Sequence, residues 1–164
     1  MKLRIYRVRP DAILPRYANA LDSGLDLYAH LDGTNNGVIF AGDWATFPTG
    51  IAISVVCGDG TPAIDTEAGR HIEGQIRPRS GLARKHGVVA VTGTIDSGYR
   101  GEIGVTLINH GRTAYRVEKG DRIAQLCFCA VQRFTFDGEI EEVWAAHELG
   151  ETERGTKGFG SSGR

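Results

Sequence analysis

The 164-residue sequence holds no apolar run long enough to cross a bilayer, and its opening MKLRIYRVRP lacks the apolar centre of a secretory leader. A cytoplasmic protein without a membrane partner is expected. Cysteine is scarce. The three present form no disulfide framework. Cys127 and Cys129, two apart in an alternating run, point the same way along a strand. Small apolar core residues are a better reading of them than a metal or redox pair. Neither sign of charge prevails. Nineteen basic and 20 acidic residues give a net charge of −1, and no basic cluster of the size a nucleic-acid polymer requires is visible. Proline is limited to 5 residues, and the 23 glycines follow no period, which excludes a collagen-like chain and favours one rich in turns. Helical periodicity is almost missing. The five histidines, at 30, 71, 86, 110 and 147, show no metal-ligand spacing, and no serine-hydrolase elbow occurs.

What the chain has instead is a series of short apolar or alternating runs broken by Gly, Asp and Asn. They are Leu3 to Val8, Val38 to Phe40, Ile51 to Val56, Val88 to Val91, Ile103 to Ile108, Ala114 to Val117 and Ile123 to Val131. Many short strands in a chain of single-domain length predict an all-β sandwich, barrel or jelly roll. The one helical turn expected in the first half is Ser80 to Lys85, after Pro78. Two stretches stand apart. Residues 57–72, CGDGTPAIDTEAGRHI, read as a surface insertion, and residues 149–164, LGETERGTKGFGSSGR, have too little apolar material to build a core.

Five segments carry candidate chemistry. In Arg77-Pro78-Arg79-Ser80-Gly81-Leu82-Ala83, a hydroxyl and a glycine open a helix whose first N–H groups attract anions, and Arg79 adds a guanidinium. Gly93-Thr94-Ile95-Asp96-Ser97-Gly98-Tyr99-Arg100-Gly101 is a glycine-flanked turn between apolar strands. Asp96, expected to be partly buried beside Ile95, is a candidate general base on water, and Tyr99 offers a flat face. Asp22, Gly24 and Asp26 share one face if the chain there is extended, so the two carboxylates suit a hydrated divalent ion, and equally a solvated edge or buried arginines. In Gly120-Asp121-Arg122-Ile123-Ala124-Gln125-Leu126, strand alternation sets Arg122, Ala124 and Leu126 against Ile123 and Gln125. It leaves Gln125 among apolar residues in need of a partner. Last, Arg154 to Gly163 is a Gly/Ser stretch with two cations that can wrap a polyphosphate with backbone amides, although it is not a P-loop.

The five segments, in this order, resemble the signature motifs of the trimeric deoxyuridine triphosphate nucleotidohydrolases (dUTPases). The closest matches are PRSGLA, GTIDSGYRG, GDRIAQL and RGTKGFGSSG. The resemblance implies an all-β jelly roll over residues 1–148, a flexible C-terminal arm over 149–164, and a homotrimer with active sites shared between subunits. It implies Mg²⁺-dependent hydrolysis of dUTP to dUMP and pyrophosphate, which limits uracil in DNA and supplies dUMP for thymidylate synthesis. Carried over residue by residue, Asp96 activates the water that attacks the α-phosphorus. Arg79, Ser80, Gly81 and Gln125 contact the phosphates. Gly93, Thr94, Ile95, Asp96 and Gly104 read uracil, and Tyr99 lies under the deoxyribose. Arg154 holds the γ-phosphate, Phe159 covers the base, Gly160 and Ser161 line the phosphate chain, and Asp26 meets the metal through water.

Residues 57–72 exceed the usual family connection, as a plain surface loop or as a site for a regulatory protein partner. Two rival readings follow from the residues. A dCTP deaminase shares the fold and the RSxLA and GxIDxG elements. Its acid/base glutamate, however, falls at Thr106 in Gly104-Val105-Thr106-Leu107-Ile108-Asn109. A dUTP-sensing regulatory protein would keep the pocket and signal through residues 57–72.

Overall fold

The computed structural model describes residues 1–33, 37–59, 64–65, 70–132, 134 and 140–152. In chain order the first elements are β1 (Lys2–Arg7), β2 (Leu25–Tyr28), β3 (Val38–Ile39), β4 (Trp44–Pro48), β5 (Ile51–Val56), β6 (Ile64–Asp65) and β7 (Arg70–Arg77). Helix α1 (Ser80–His86) follows, then β8 (Val88–Ala90), β9 (Gly93–Ile95), β10 (Gly104–Asn109), β11 (Tyr115–Arg116) and β12 (Arg122–Gln132). Residues Met1–Arg133 form one unit and Phe134–Arg164 a second. In the second unit Ala146–Leu149 makes a 3-10 turn, with Trp144 and Leu149 exposed.

The pairing is antiparallel throughout: β1 with β5, β4–β10–β8, β11 with β3, and β2–β12–β7–β6 with β9 added along β7. Alternation sorts the residues. On β10, Val105, Leu107 and Asn109 turn inward, while Gly104 is exposed and Thr106 and Ile108 are half-buried. Phe47, Leu27, Ile39, Ile51, Ile103, Leu107, Ile123 and Leu126 are the large, fully enclosed side chains of the core. Asn109 belongs there too because its amide is satisfied: Nδ2 donates to the Ile39 and Thr113 carbonyls, and Oδ1 accepts from Gly111 N–H. Pro48 ends β4 on an outer strand of its sheet, where a missing donor costs little.

Every expected strand lies at or within two residues of an observed one. Five others, β2, β4, β6, β7 and β9, lie outside those runs. β2 is buried on both faces, β4 holds a proline, β7 alternates polar Glu73, Gln75 and Arg77 with Gly74 and Ile76, and β9 is three residues long. The end of the 57–72 stretch is therefore ladder and not loop: His71 and Ile72 pair with Val131 and Ala130 of β12. The three cysteines are joined by no disulfide and are half-buried, at the margin of the core and not inside it.

Candidate active site

Three separate segments converge where β2, the start of α1 and the start of β12 meet. Pro78 stops β7, since its ring supplies no ladder donor, and Arg79 takes an extended conformation (φ −94°, ψ 124°) as the residue preceding α1. Its side chain does not cap the helix. The Arg79 guanidinium instead reaches Asp26, Nε to Oδ1 at 3.1 Å, and donates from Nη1 to the Arg122 carbonyl at 2.9 Å. The other Asp26 oxygen, Oδ2, accepts from Arg122 Nη1 at 3.2 Å. One buried carboxylate thus bridges two guanidinia. A charge at that depth is tolerable because it is paired and hydrogen-bonded.

Around this bridge Ala18, Asp22, Gly24, Ser80, Gly81 and Gln125 complete a pocket of about 190 Å³. Gly24 is required by packing. A Cβ there would lie 2.8 Å from Gln125 Oε1 and 2.9 Å from Gln125 Cβ. Nothing stands within 4 Å of a Cβ built on Gly81, so the approach to the start of α1 is open, and the first N–H groups of a helix have no intrahelical acceptor. Tyr115 is pushed above the ordinary tyrosine range by burial and by the Asp121 charge, with Arg79 opposing, so its phenol stays neutral. The pocket sets the guanidinia of Arg79 and Arg122, balanced by the Asp22 and Asp26 carboxylates, beside donors at Ser80 and Gln125, groups that a polyphosphate carrying its own cation can engage.

The second group of candidate residues lies elsewhere on the same chain. β9 pairs with β7 through Gly93↔Ile76, Thr94↔Gln75 and Ile95↔Gly74. Among the described residues no strand pairs with its other edge. Ile95 is buried and anchors the strand, while Asp96 is exposed at the head of a turn closed by Tyr99 N–H to the Asp96 carbonyl at 2.9 Å. Ser97 Oγ donates to the Ile72 carbonyl at 2.9 Å and fixes this turn against β7. Tyr99 folds over Gly101, where a Cβ would come within 2.6 Å of its Cζ, and donates from its hydroxyl to the Glu102 carbonyl. Its ring remains 46% exposed and open to a ligand.

Several expectations change on contact with this geometry. Asp96 is exposed in the single chain and not partly buried, because Ile95 alone turns into the core. Gln125 does not sit among apolar residues: a register irregularity between Arg122 and Ala124 buries both Ile123 and Ala124. That shift turns Gln125 outward, level with Asp26 on β2 and Arg77 on β7. Asp22 and Asp26 do not act as a pair. Asp22 caps its own turn by accepting from Asn19 N–H at 2.8 Å, and Asp26 serves the arginines. Thr106, at the deaminase position, has its hydroxyl tied to Thr46 Oγ1 at 2.8 Å. Arg154, Phe159, Gly160 and Ser161 lie outside the described residues.

Arg122 joins the site although GDRIAQL does not single it out: a lone arginine at a strand start gives no sign that a carboxylate nearly a hundred residues earlier will orient it. Among the described residues, no set of side chains fits a metal ion held by the chain itself. Both Asp26 oxygens accept from guanidinia, and no cluster of three His, Cys, Asp or Glu occurs among the described residues.

An antiparallel jelly roll with a two-arginine anion pocket and a separate turn bearing an aspartate and a tyrosine defines a nucleotide-handling class of β protein. Within that class the chain belongs to the dUTPase family, whose model matches residues 11–163. It is 44% identical over 165 residues to the deoxyuridine 5'-triphosphate nucleotidohydrolase of Gloeothece citriformis, covering 99% of this chain and 97% of that one. It is 43% identical over 164 residues to the enzyme of the same name from Clostridium tetani, with 99% and 97% covered. Among solved structures, the Staphylococcus bacteriophage 80alpha dUTPase with dUpNHpp superposes at a TM-score of 0.74, at 26% identity and 99% coverage of both chains. A point mutant of the dUTPase from phage phi11 of S. aureus, 20% identical with a TM-score of 0.67 over 88% of this chain and 100% of its own, coordinates a structural Mg(II) ion and shares the fold. No described helix is long and apolar enough to cross a membrane.

Proposed function

We propose that this chain is a dUTP diphosphatase that hydrolyses dUTP to dUMP and pyrophosphate in sites shared between the subunits of a homotrimer. The observation that carries the reading is the bridged pair Arg79–Asp26–Arg122 beside Ser80, Gly81 and Gln125. It presents two oriented cations to one polyphosphate before any ligand arrives. That the Asp96–Tyr99 turn lies outside this pocket supports sharing: one chain supplies phosphate contacts, and a neighbour supplies the base and the uracil edge.

In this reading the open edge of β9, Gly93 to Ile95, reads uracil through backbone groups. A wall of backbone leaves no room for a 5-methyl group, Gly104 adds a further contact to the base as the family motif implies, and Tyr99 rejects a ribose hydroxyl by contact. Asp96 accepts a proton from the water whose oxygen attacks the α-phosphorus. The bond from that phosphorus to the bridging oxygen of the β-phosphate breaks, and pyrophosphate leaves. Arg79, Arg122 and Ser80 neutralise charge on the phosphate oxygens as the bond lengthens. A magnesium ion carried in by the triphosphate would supply charge neutralisation at the phosphates, and Asp26 would meet it only through water. The stretch 149–164 acts as an arm over a neighbouring site, with Arg154 on the γ-phosphate, Phe159 on the base, and Gly160 and Ser161 along the phosphates.

The test is pyrophosphate release from dUTP, dCTP, dTTP and UTP with Mg²⁺ for the native chain and Asp96→Asn. Hydrolysis confined to dUTP and reduced about 10²–10⁴-fold in the variant, with dUTP still bound, is the expected result. Ammonia released from dCTP would transfer the chain to the deaminases.

A further inference from the structure

His30 and Asp11 take no part in the chemistry above, yet they form an organised junction. His30 follows Ala29 after the end of β2 and is 6% exposed. Its backbone N–H donates to the Pro48 carbonyl at 2.8 Å, and its Nε2 meets Asp11 Oδ1 at 2.8 Å. Nδ1 is buried and has no hydrogen-bond partner. The proton of the neutral ring therefore belongs on Nε2, where a carboxylate accepts it, and not on Nδ1, where it would be orphaned. With one oxygen occupied in this way, Asp11 turns the other to Lys119 Nζ. Lys119 and His30 together hold the Asp11 carboxyl well below the usual carboxylate range.

Lys119 belongs to the turn that delivers Arg122. That turn is closed on itself by Asp121 N–H to the Glu118 carbonyl at 3.1 Å, and by Glu118 N–H to Asp121 Oδ2 at 2.8 Å. It is stitched to β2 by Gly120 N–H to the Ala29 carbonyl and by Ala29 N–H to the Asp121 carbonyl, both 2.8 Å. The next residue is Arg122, whose carbonyl receives Arg79 and whose guanidinium receives Asp26. The irregularity just after it leaves Arg122 with less ladder support than a regular strand start would give. What fixes its origin is the turn, and Asp11 holds that turn from outside β2 alongside buried Val117, whose N–H donates to the Gly37 carbonyl at 2.8 Å.

We propose that Asp11, oriented by the buried His30 and gripping Lys119, is a positioning residue that sets where Arg122 presents its guanidinium to the triphosphate. The inference rests on the phosphate-pocket reading above. Because the Asp11–Lys119 pair is exposed, loss of the grip should appear as a KM effect of up to about fivefold, and not as a loss of catalysis.

The experiment is steady-state hydrolysis of dUTP by Asp11→Asn, Lys119→Met and the double variant, each also in an Arg122→Met background, with inhibition by dUMP measured alongside. Either single change is expected to raise KM about three- to fivefold, with kcat and dUMP inhibition unchanged. The double variant should go no further than a single, and Lys119→Arg should restore native KM. In the Arg122→Met background, Asp11→Asn should have no effect on KM. Additive KM effects, effects that persist without Arg122, or equal weakening of dUMP would overturn the proposal. If Arg122→Met leaves KM unchanged, the phosphate-pocket reading itself fails. If Arg122→Met raises KM and Asp11→Asn does not, only the positioning role fails. Thermal unfolding of each variant separates these outcomes from misfolding, and Lys119→Met, on an exposed side chain, serves where Asp11→Asn does not fold.

Discussion

Replacing Asp26 by Asn keeps the volume of the side chain and removes the charge that joins two arginines. An amide offers one acceptor and one donor, so whichever way it is turned its NH₂ faces a guanidinium that is itself only a donor. Breaking a buried ion pair by removing one partner costs about 3–5 kcal/mol. That range is an upper bound here. Asp26 has only 9% of its side chain exposed, but Arg79 has 24% and Arg122 48%, and an exposed partner contributes as a surface pair does. A loss of about 2–3 kcal/mol follows. For a chain of this length each kcal/mol lowers the melting temperature by about 2–4 °C, so a fall of about 4–12 °C is expected by calorimetry or circular dichroism. The released guanidinia also lose their common aim, and KM for dUTP should rise about tenfold or more, at 1.4 kcal/mol per decade. The rise should appear with saturating Mg²⁺ as well as without it, because the carboxylate is acting on arginines. A variant with native melting temperature and native KM would refute the bridge. One whose defect vanished on adding Mg²⁺ would show that Asp26 acts through the metal's water shell and not through the arginines.

Three further outcomes follow from particular contacts. Gly24→Ala forces a methyl onto Gln125 and should cost about 1–3 kcal/mol of stability or binding, read as raised KM with the uracil-side selectivity intact. Truncation after Leu149 should leave a folded trimer by light scattering with severely impaired hydrolysis; full activity would remove the proposed arm. Asp11 supplies a pH dependence whose sign is set by its lowered pKa. The stability that its carboxylate confers is fully present above the unfolded value, about pH 4, and is lost as pH falls below it. The difference in stability between native chain and Asp11→Asn should thus be constant from neutral pH to about pH 5 and shrink with further acidification. A difference that grew in acid would contradict it.

The motifs were legible because they are short, local and dense in glycine. PRSGLA, GTIDSGYRG and GDRIAQL each announce a turn or helix start beside a functional side chain, and α1 begins at Ser80 as expected. β2 and β7 were not legible. β2 is four residues long and buries Asp26 on its polar face, so it reads as an exposed acidic segment, while β7 presents Glu73, Gln75 and Arg77 on its outer face.

Residue order alone determined the all-β class and the helix after Pro78, because turn chemistry and strand alternation are properties of neighbours in sequence, and the five motifs in order carried the resemblance to the family. It also selected Arg79, Ser80, Gln125, Asp96 and Tyr99 as the candidate residues. Which of them meet on one chain was decided only in three dimensions. The pairing of β2 with β12 brings Asp26 to Arg122, and the register irregularity after Arg122 turns Gln125 out beside them. The Asp96 turn, anchored on β7, is left apart from the phosphate pocket. Cross-strand register links residues far apart in the chain, and one residue of slip reverses the face of every side chain beyond it. No local pattern in the sequence carries that information.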